Sequence, residues 1–344
     1  MERWGSLTGR RGATPAEGRP VRRTVQLLAP AAALAICLYA VELPLFVESP
    51  GRARSVLPRI DIDGTDTYAS RGELLLTTVN LGRANVYDAL AAWLDPDAAL
   101  LREREVLAPG QTDREYQQVS RSQMDQSKIA AVAVALESLT DYPRTHARGV
   151  IVQDVVAGTP AAGGLFPGDL ITSIDGDPLG GVGELRRRIE EAGTERTLKL
   201  DVRPVEGGDA RRVSLRPARI EGQDGPVIGI VSVANFPFDV RISSGDIGGP
   251  SAGLMWALGV TDLLTSDDLT GGRDIGGTGT LDLEGRVGPI GGVRLKIVAA
   301  EEAGAEVFLI PRGNLAEARG AGQDIALVPV ATVTEALRAL DGAG

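Results

Sequence analysis

Residues 248–251 read Gly-Gly-Pro-Ser, and the nine that follow, Ala-Gly-Leu-Met-Trp-Ala-Leu-Gly-Val, carry no charge. This stretch constrains the chain more than any other. A helix so apolar has to be buried, and it has to be entered through a tight turn. Glycine permits the sharp approach, and proline suits the first helical position because its missing N–H would have no partner there. Ser251 therefore stands at the mouth of a buried helix, beside unpaired first-turn amides and the positive end of the dipole. Two roles fit that position: an ordinary capping serine, or a nucleophile at a junction suited to an oxyanion.

Which partners a nucleophile could use is limited by composition. His146 is the only histidine and Cys37 the only cysteine, so Ser-His-Asp, Cys-His and His-Glu-x-x-His chemistries need more than the chain offers unless His146 serves. "DYPRTHARG" around His146 reads as a linker. A serine without histidine needs another base, and a lysine kept neutral by an apolar setting is the usual substitute. Among 36 Lys plus Arg residues only Lys128, Lys199 and Lys296 are lysines. Arginine does not release its proton, so a lysine in this chain carries chemical content. If Val293 to Ala303 is a helix, Val293, Ile297 and Ala300 share an arc that includes Lys296, while Arg294, Glu301 and Glu302 fall opposite. An inward lysine would be a general base by desolvation; the alternative is a lysine whose head snorkels to water.

"GGPSAG" around Ser251, "GTGTLDLEGRVGPIGG" over 277–292 and Lys296 four residues beyond resemble the proteolytic domain of the Lon family. The resemblance runs over most of 227–344. It implies a Ser-Lys dyad with Ser251 as nucleophile, Lys296 as general base and Thr278 as the hydroxyl that orients the lysine. Backbone amides near Gly248, Gly249 and Ser251 would hold the oxyanion. Where the family's better-known motif has Asp three residues before the serine, this chain has Gly248, with Asp246 two further upstream. Asp246 is equally well a turn residue.

Between residues 149 and 204, short apolar strands at Val150–Val152, Leu170–Ile174 and Thr197–Val202 alternate with Gly/Pro/Asp turns, and one amphipathic helix is expected over 182–192. "AGTPAAGGLFPGDLITSIDG" resembles a PDZ domain, a small partly open β-barrel or sandwich with helices. The resemblance implies an extended peptide added to a sheet edge, between the strand carrying Val150, Ile151 and Val152 and the helix opening at Val182. A spacer or gate without a ligand is the other reading. Gly72–Leu81 reads as a strand and Asp113–Leu139 as a long helix. Residues 222–344 are short for a Lon proteolytic domain, so residues 66–142 are expected to complete it, with the PDZ domain inserted.

The N-terminus has a different character. Six arginines (3, 10, 11, 19, 22 and 23) face only Glu2 and Glu17, and Val25–Val41 is uncharged with Gln26 as its clearly polar member. At about 1.5 Å per residue this run falls just short of a hydrocarbon core of roughly 30 Å, but Leu43–Val47 can extend it past Glu42. One spanning helix over 25–47 is expected, with the basic tail 1–24 cytoplasmic and the remainder outside the membrane. A cleaved signal peptide is the rival reading, though no convincing small-x-small cleavage site follows. "LAIC" at Cys37 resembles a lipoprotein signal only faintly, because Ile36 stands where a small residue belongs.

The expected architecture is α+β: a tail (1–24), an anchor (25–47), an N-terminal extracytoplasmic region (48–144), a PDZ domain (145–220) and a Lon-like domain (221–344). A net charge of −10 argues against nucleic acid, and no Gly-rich loop ending in Gly-Lys-Ser/Thr points to ATP. No metal or cofactor is implied. The resemblance implies peptide or protein substrates and a homo-oligomer. A catalytically silent PDZ scaffold and a hydrolase of small acyl substrates are the alternatives.

Overall fold

A computed structural model describes residues 32–319, 321 and 324–341. The longer elements are numbered here in chain order. The fold is mixed α+β, built on two sheets.

The first sheet draws on both ends of the chain. Strands β1 (Leu45–Ser55), β3 (Glu73–Arg83) and β4 (Ala99–Arg102) come from before the PDZ segment. Strands β11 (Asp274–Gly277), β12 (Val307–Pro311) and β13 (Ala326–Val330) come from after it. Their order is β13-β12-β11-β3-β1-β4, parallel from β13 to β3 and antiparallel from β3 to β4. The seam between the two chain segments is the β3–β11 pair, Glu73–Leu76 against Asp274–Gly277. The run Leu74-Leu75-Leu76 is continuous because both faces are buried: Leu74 and Leu76 enter one core and Leu75 the other.

Helix α5 (Gly253–Leu264) packs on the first face and α3 (Asp113–Leu139) packs on α5, which is buried along most of its length, with Trp256 fully enclosed. Helix α3 opens with a reciprocal cap, in which the Thr112 hydroxyl accepts from the Glu115 amide and the Glu115 carboxylate accepts from that of Thr112. Helix α6 (Val293–Glu302) covers the other face, packing Val293, Ile297 and Ala300 on Phe308 and Ile310. Gly277 lets α5 approach the sheet closely: a Cβ there would meet Met255 Sδ at 2.5 Å.

The second sheet is inserted between α3 and the strand β10 (Asp239–Ile242), which pairs with β2 (Ile60–Asp63). Strands β5 (Ala147–Val155), β6 (Asp169–Ile174), β7 (Leu198–Pro204), β8 (Arg211–Leu215) and β9 (Ile230–Asn235) lie in the order β9-β5-β6-β7-β8. Helix α4 (Val182–Ala192) closes its core with Leu185 and Ile189. Strand β9 lies beyond residue 220, so the expected boundary between PDZ and Lon-like parts at 220/221 needs correction. Six residues from 230 onward complete the PDZ sheet, because β5 takes an antiparallel partner from after the domain's expected end.

The far end of the expected helix over 25–47 also needs correction. Only part of it lies within the described residues, and there the chain is helical at 32–40 (α1) but has become strand β1 by Leu45. Leu45 and Phe46 pair with Arg102 and Leu101, so Leu43–Val47 enters the sheet instead of prolonging a helix. No helix among the described residues is long and apolar enough to cross a membrane.

Candidate active site

Ser251 lies in a turn ahead of α5, which begins at Gly253. Pro250 therefore precedes the helix instead of opening it. The helix has no side-chain cap, so the Ser251 hydroxyl is not used as one. Four contacts hold the turn. The Ser251 carbonyl accepts from the Gly279 amide (2.8 Å) and the Thr278 hydroxyl (3.0 Å), the Pro250 carbonyl from the Ser127 hydroxyl (3.1 Å), and the Ser120 carbonyl from the Gly249 amide (2.8 Å). Helix α3 and the end of β11 thus clamp the serine from two sides.

Lys296, one turn into α6, reaches this point from the opposite face of the sheet. Its Nζ donates to Ser251 Oγ at 2.6 Å and to Thr278 Oγ1 at 3.2 Å. Lys296 is 3% exposed and Thr278 1%. Burial pushes the lysine down from 10.5 to about 8, partly opposed by the charge of Glu48. Thr278 accepts from the lysine and donates to the Ser251 carbonyl, so its single proton fixes the orientation of both. The structure therefore brings Ser251, Lys296 and Thr278 together.

The other expected site residues fare differently. Gly248 and Gly249 flank the turn, but the Gly249 amide is spent on Ser120, which removes it from the oxyanion donors. Gly249 serves the turn instead, with φ +82. Asp246 is exposed in the preceding turn. His146 bonds the Ala147 carbonyl and lies against Gly181, within the PDZ part.

Glu48 is a residue that sequence reasoning missed. It sits on β1 against the Gly292 turn that opens α6, where a side chain on residue 292 would meet its Oε1 at 2.7 Å. Burial raises its carboxyl above the ordinary value, with Lys296 acting in the opposite direction. No spacing links Glu48 to Lys296, and only the sheet brings them together.

The expected peptide groove also changes. Val150, Ile151 and Val152 are fully buried, and β5 is paired on both sides, to β9 and β6. The edge strand on the β5 side is β9. A groove of about 640 Å³ runs between Ile230–Ser232 of β9 and Val182, Leu185 and Ile189 of α4. Val182 lines this groove, whereas Val150, Ile151 and Val152 do not. Among the described residues no cluster of His, Cys, Asp and Glu could hold a metal ion.

Comparison with known proteins finds two families represented in the chain. Residues 238–340 match the Lon protease (S16) C-terminal proteolytic domain, and residues 151–203 match the PDZ domain. Lon protease 1 of Herpetosiphon aurantiacus is 45% identical over 69 residues, 20% of this chain and 8% of that protein. Lon protease 1 of Myxococcus xanthus is 34% identical over 110 residues, 30% of this chain and 13% of that one. The chain thus spans only about a tenth of the length of these relatives. Among solved structures, the PDZ domain of the SdrC-like protein from Listeria innocua is 33% identical, matching 24% of this chain and 92% of its own, with a TM-score of 0.23.

Proposed function

We propose that this chain, which carries a Lon-type proteolytic domain and a PDZ domain, is a serine-type endopeptidase that works without ATP from a membrane anchor in the cell envelope. The observation that carries the reading is the 2.6 Å contact between the buried Lys296 Nζ and the half-buried Ser251 Oγ. In the neutral form the lysine nitrogen accepts the serine proton as Oγ attacks the scissile carbonyl. The lysine then passes that proton to the leaving amine, and a water activated by the same nitrogen hydrolyses the acyl-enzyme. Pro250 has no N–H and Gly249 is engaged, which leaves the Ser251 and Gly248 amides for the oxyanion. Thr278 keeps the lysine aimed at Oγ.

The PDZ groove supports an extended peptide laid along β9, with its side chains against Val182, Leu185 and Ile189. Attachment to a bilayer rests on the uncharged run Val25–Val41 behind six arginines, which orients the catalytic part away from the cytoplasm. Assembly into a homo-oligomer follows the family resemblance.

The full chain in detergent micelles, incubated with casein in the absence of ATP, tests the reading. Wild type is expected to cut casein and Ser251→Ala to leave it intact, read by mass spectrometry. Cleavage that persists in Ser251→Ala removes the serine from the chemistry. Intact casein with both proteins favours a PDZ scaffold.

A further inference from the structure

Helix α2 (Val86–Leu94) is inside out. It buries Ala92, a small residue, and turns its bulky ones to solvent: Tyr87 is 43% exposed, Leu90 54%, Trp93 74% and Leu94 69%. Tyr87, Leu90 and Leu94 fall three and four residues apart, so they share one face, with Trp93 beside it. A surface helix ordinarily does the reverse, and scattered apolar residues are common where a contiguous face of large ones is not.

The neighbour of this face identifies what covers it. The Leu43 amide donates to the Ala84 carbonyl (2.8 Å) and the Ala84 amide to that of Leu45 (2.9 Å), which fixes the exit of α1 beside the entry of α2. The Tyr87 hydroxyl donates to the Ala35 carbonyl at 3.3 Å, so the two helices touch. Helix α1 is itself exposed and apolar, with Leu34 60%, Ile36 66% and Tyr39 70% accessible, and it is part of the run Val25–Val41. The two apolar surfaces are therefore continuous.

We propose that α2 is an interfacial helix, which lays Leu90, Trp93 and Leu94 into the headgroup–acyl boundary of the bilayer that receives α1. The inference rests on the membrane reading given above. Tyr87 and Trp93 suit that boundary because each presents an apolar ring with one polar atom. Asp88 is the only charged residue of α2, and Asp95 and Asp97 follow directly. Attraction to anionic lipid thus contributes nothing, and insertion is driven by apolar area. Anchored by α1 alone, the catalytic part would swing freely. With α2 seated, its orientation to the lipid surface is fixed.

The test uses the full chain with Trp4→Phe, which leaves Trp93 and the fully buried Trp256 as emitters. It is reconstituted in vesicles of phosphatidylcholine, plain or brominated near the top of the acyl chains. The chain is expected to float with the vesicles, and the Trp93 emission to fall about twofold in brominated lipid, insensitive to high salt. Trp93→Phe in the same background is expected to remove the quenched component. A chain that floats while Trp93 stays unquenched overturns the α2 inference and leaves the anchor standing. If that floating, unquenched chain has the mass of a dimer, the face belongs to a second copy. A chain that does not float overturns both.

Discussion

Two of the chain's three lysines are buried, and their surroundings differ in kind. Lys296 is 3% exposed and its Nζ meets only hydroxyls, those of Ser251 and Thr278. Lys128, on α3, is 7% exposed and its Nζ meets two carboxylates, Asp125 at 3.1 Å and Glu206 at 2.7 Å. A buried ammonium loses its hydration, and what replaces the water decides the outcome. At Lys128 two carboxylates supply the opposite charge, and the ion pairs bridge α3 to the loop after β7. Hydroxyls return only dipoles, so at Lys296 burial prevails and the proton comes off near pH 8. No carboxylate touches the Lys296 nitrogen, and the charge of Glu48 opposes burial only in part.

The severest way to break the comparison is to give Lys296 a cation that cannot deprotonate. Lys296→Arg keeps the charge and removes the base, and peptide cleavage is expected to fall by about 10³-fold or more. Cleavage at wild-type rate would mean that the hydroxyl-lined setting does not act through proton transfer. Thr278→Val comes next. It deletes one partner of the lysine and one donor to the Ser251 carbonyl in a nearly isosteric side chain, and kcat is expected to drop about 10- to 100-fold. An unchanged melting temperature would separate that loss from unfolding.

Glu48 sharpens the same comparison by degree. Its charge raises the Lys296 proton affinity against the larger effect of burial. The rate of a neutral-lysine enzyme rises with pH up to that pKa, near 8, and levels off above it. Glu48→Gln removes the opposing charge, so the rising limb of the kcat profile is expected to move to lower pH with little change in the plateau. A limb that moves to higher pH would show that Glu48 does not act on Lys296 through its charge.

The residues differ in how readable they were. Ser251 announces itself through Gly-Gly-Pro and the apolar run, and Lys296 through the arc of Val293, Ile297 and Ala300; both signals are local, within one turn or one helix. Helix α3 was equally legible, because its apolar positions lie on one continuous segment. Glu48 was not, since a single acidic residue in "LFVES" carries no spacing, and its neighbour Lys296 is 248 positions away, 296 minus 48. The groove failed for a related reason. Residues 150–152 have the composition of a strand, but whether a strand is an edge depends on what pairs beside it, and β9 arrives from about 80 positions downstream. Local pattern gives elements and helix faces, whereas edges and through-sheet neighbours are properties of pairing.

The mildest expected effect tests the other half of the comparison. Lys128→Met replaces a buried cation by an apolar side chain of similar length. Its partners Asp125 and Glu206 keep 39% and 52% of their side chains exposed, so both can turn to water. The stability cost is expected to be about 1 kcal/mol or less, and kcat on a short peptide to stay unchanged. What changes is the tie between the domains. One residue away from the Ser127 contact with Pro250, Lys128 holds the PDZ loop through Glu206, while Gln126 holds Asp154 at 2.6 Å. If protein substrates engage the β9 groove as proposed, cleavage of a folded protein substrate is expected to slow more than that of the peptide. Equal loss on both substrates would place Lys128 with Lys296 in the chemistry and dissolve the distinction between the paired and the unpaired lysine.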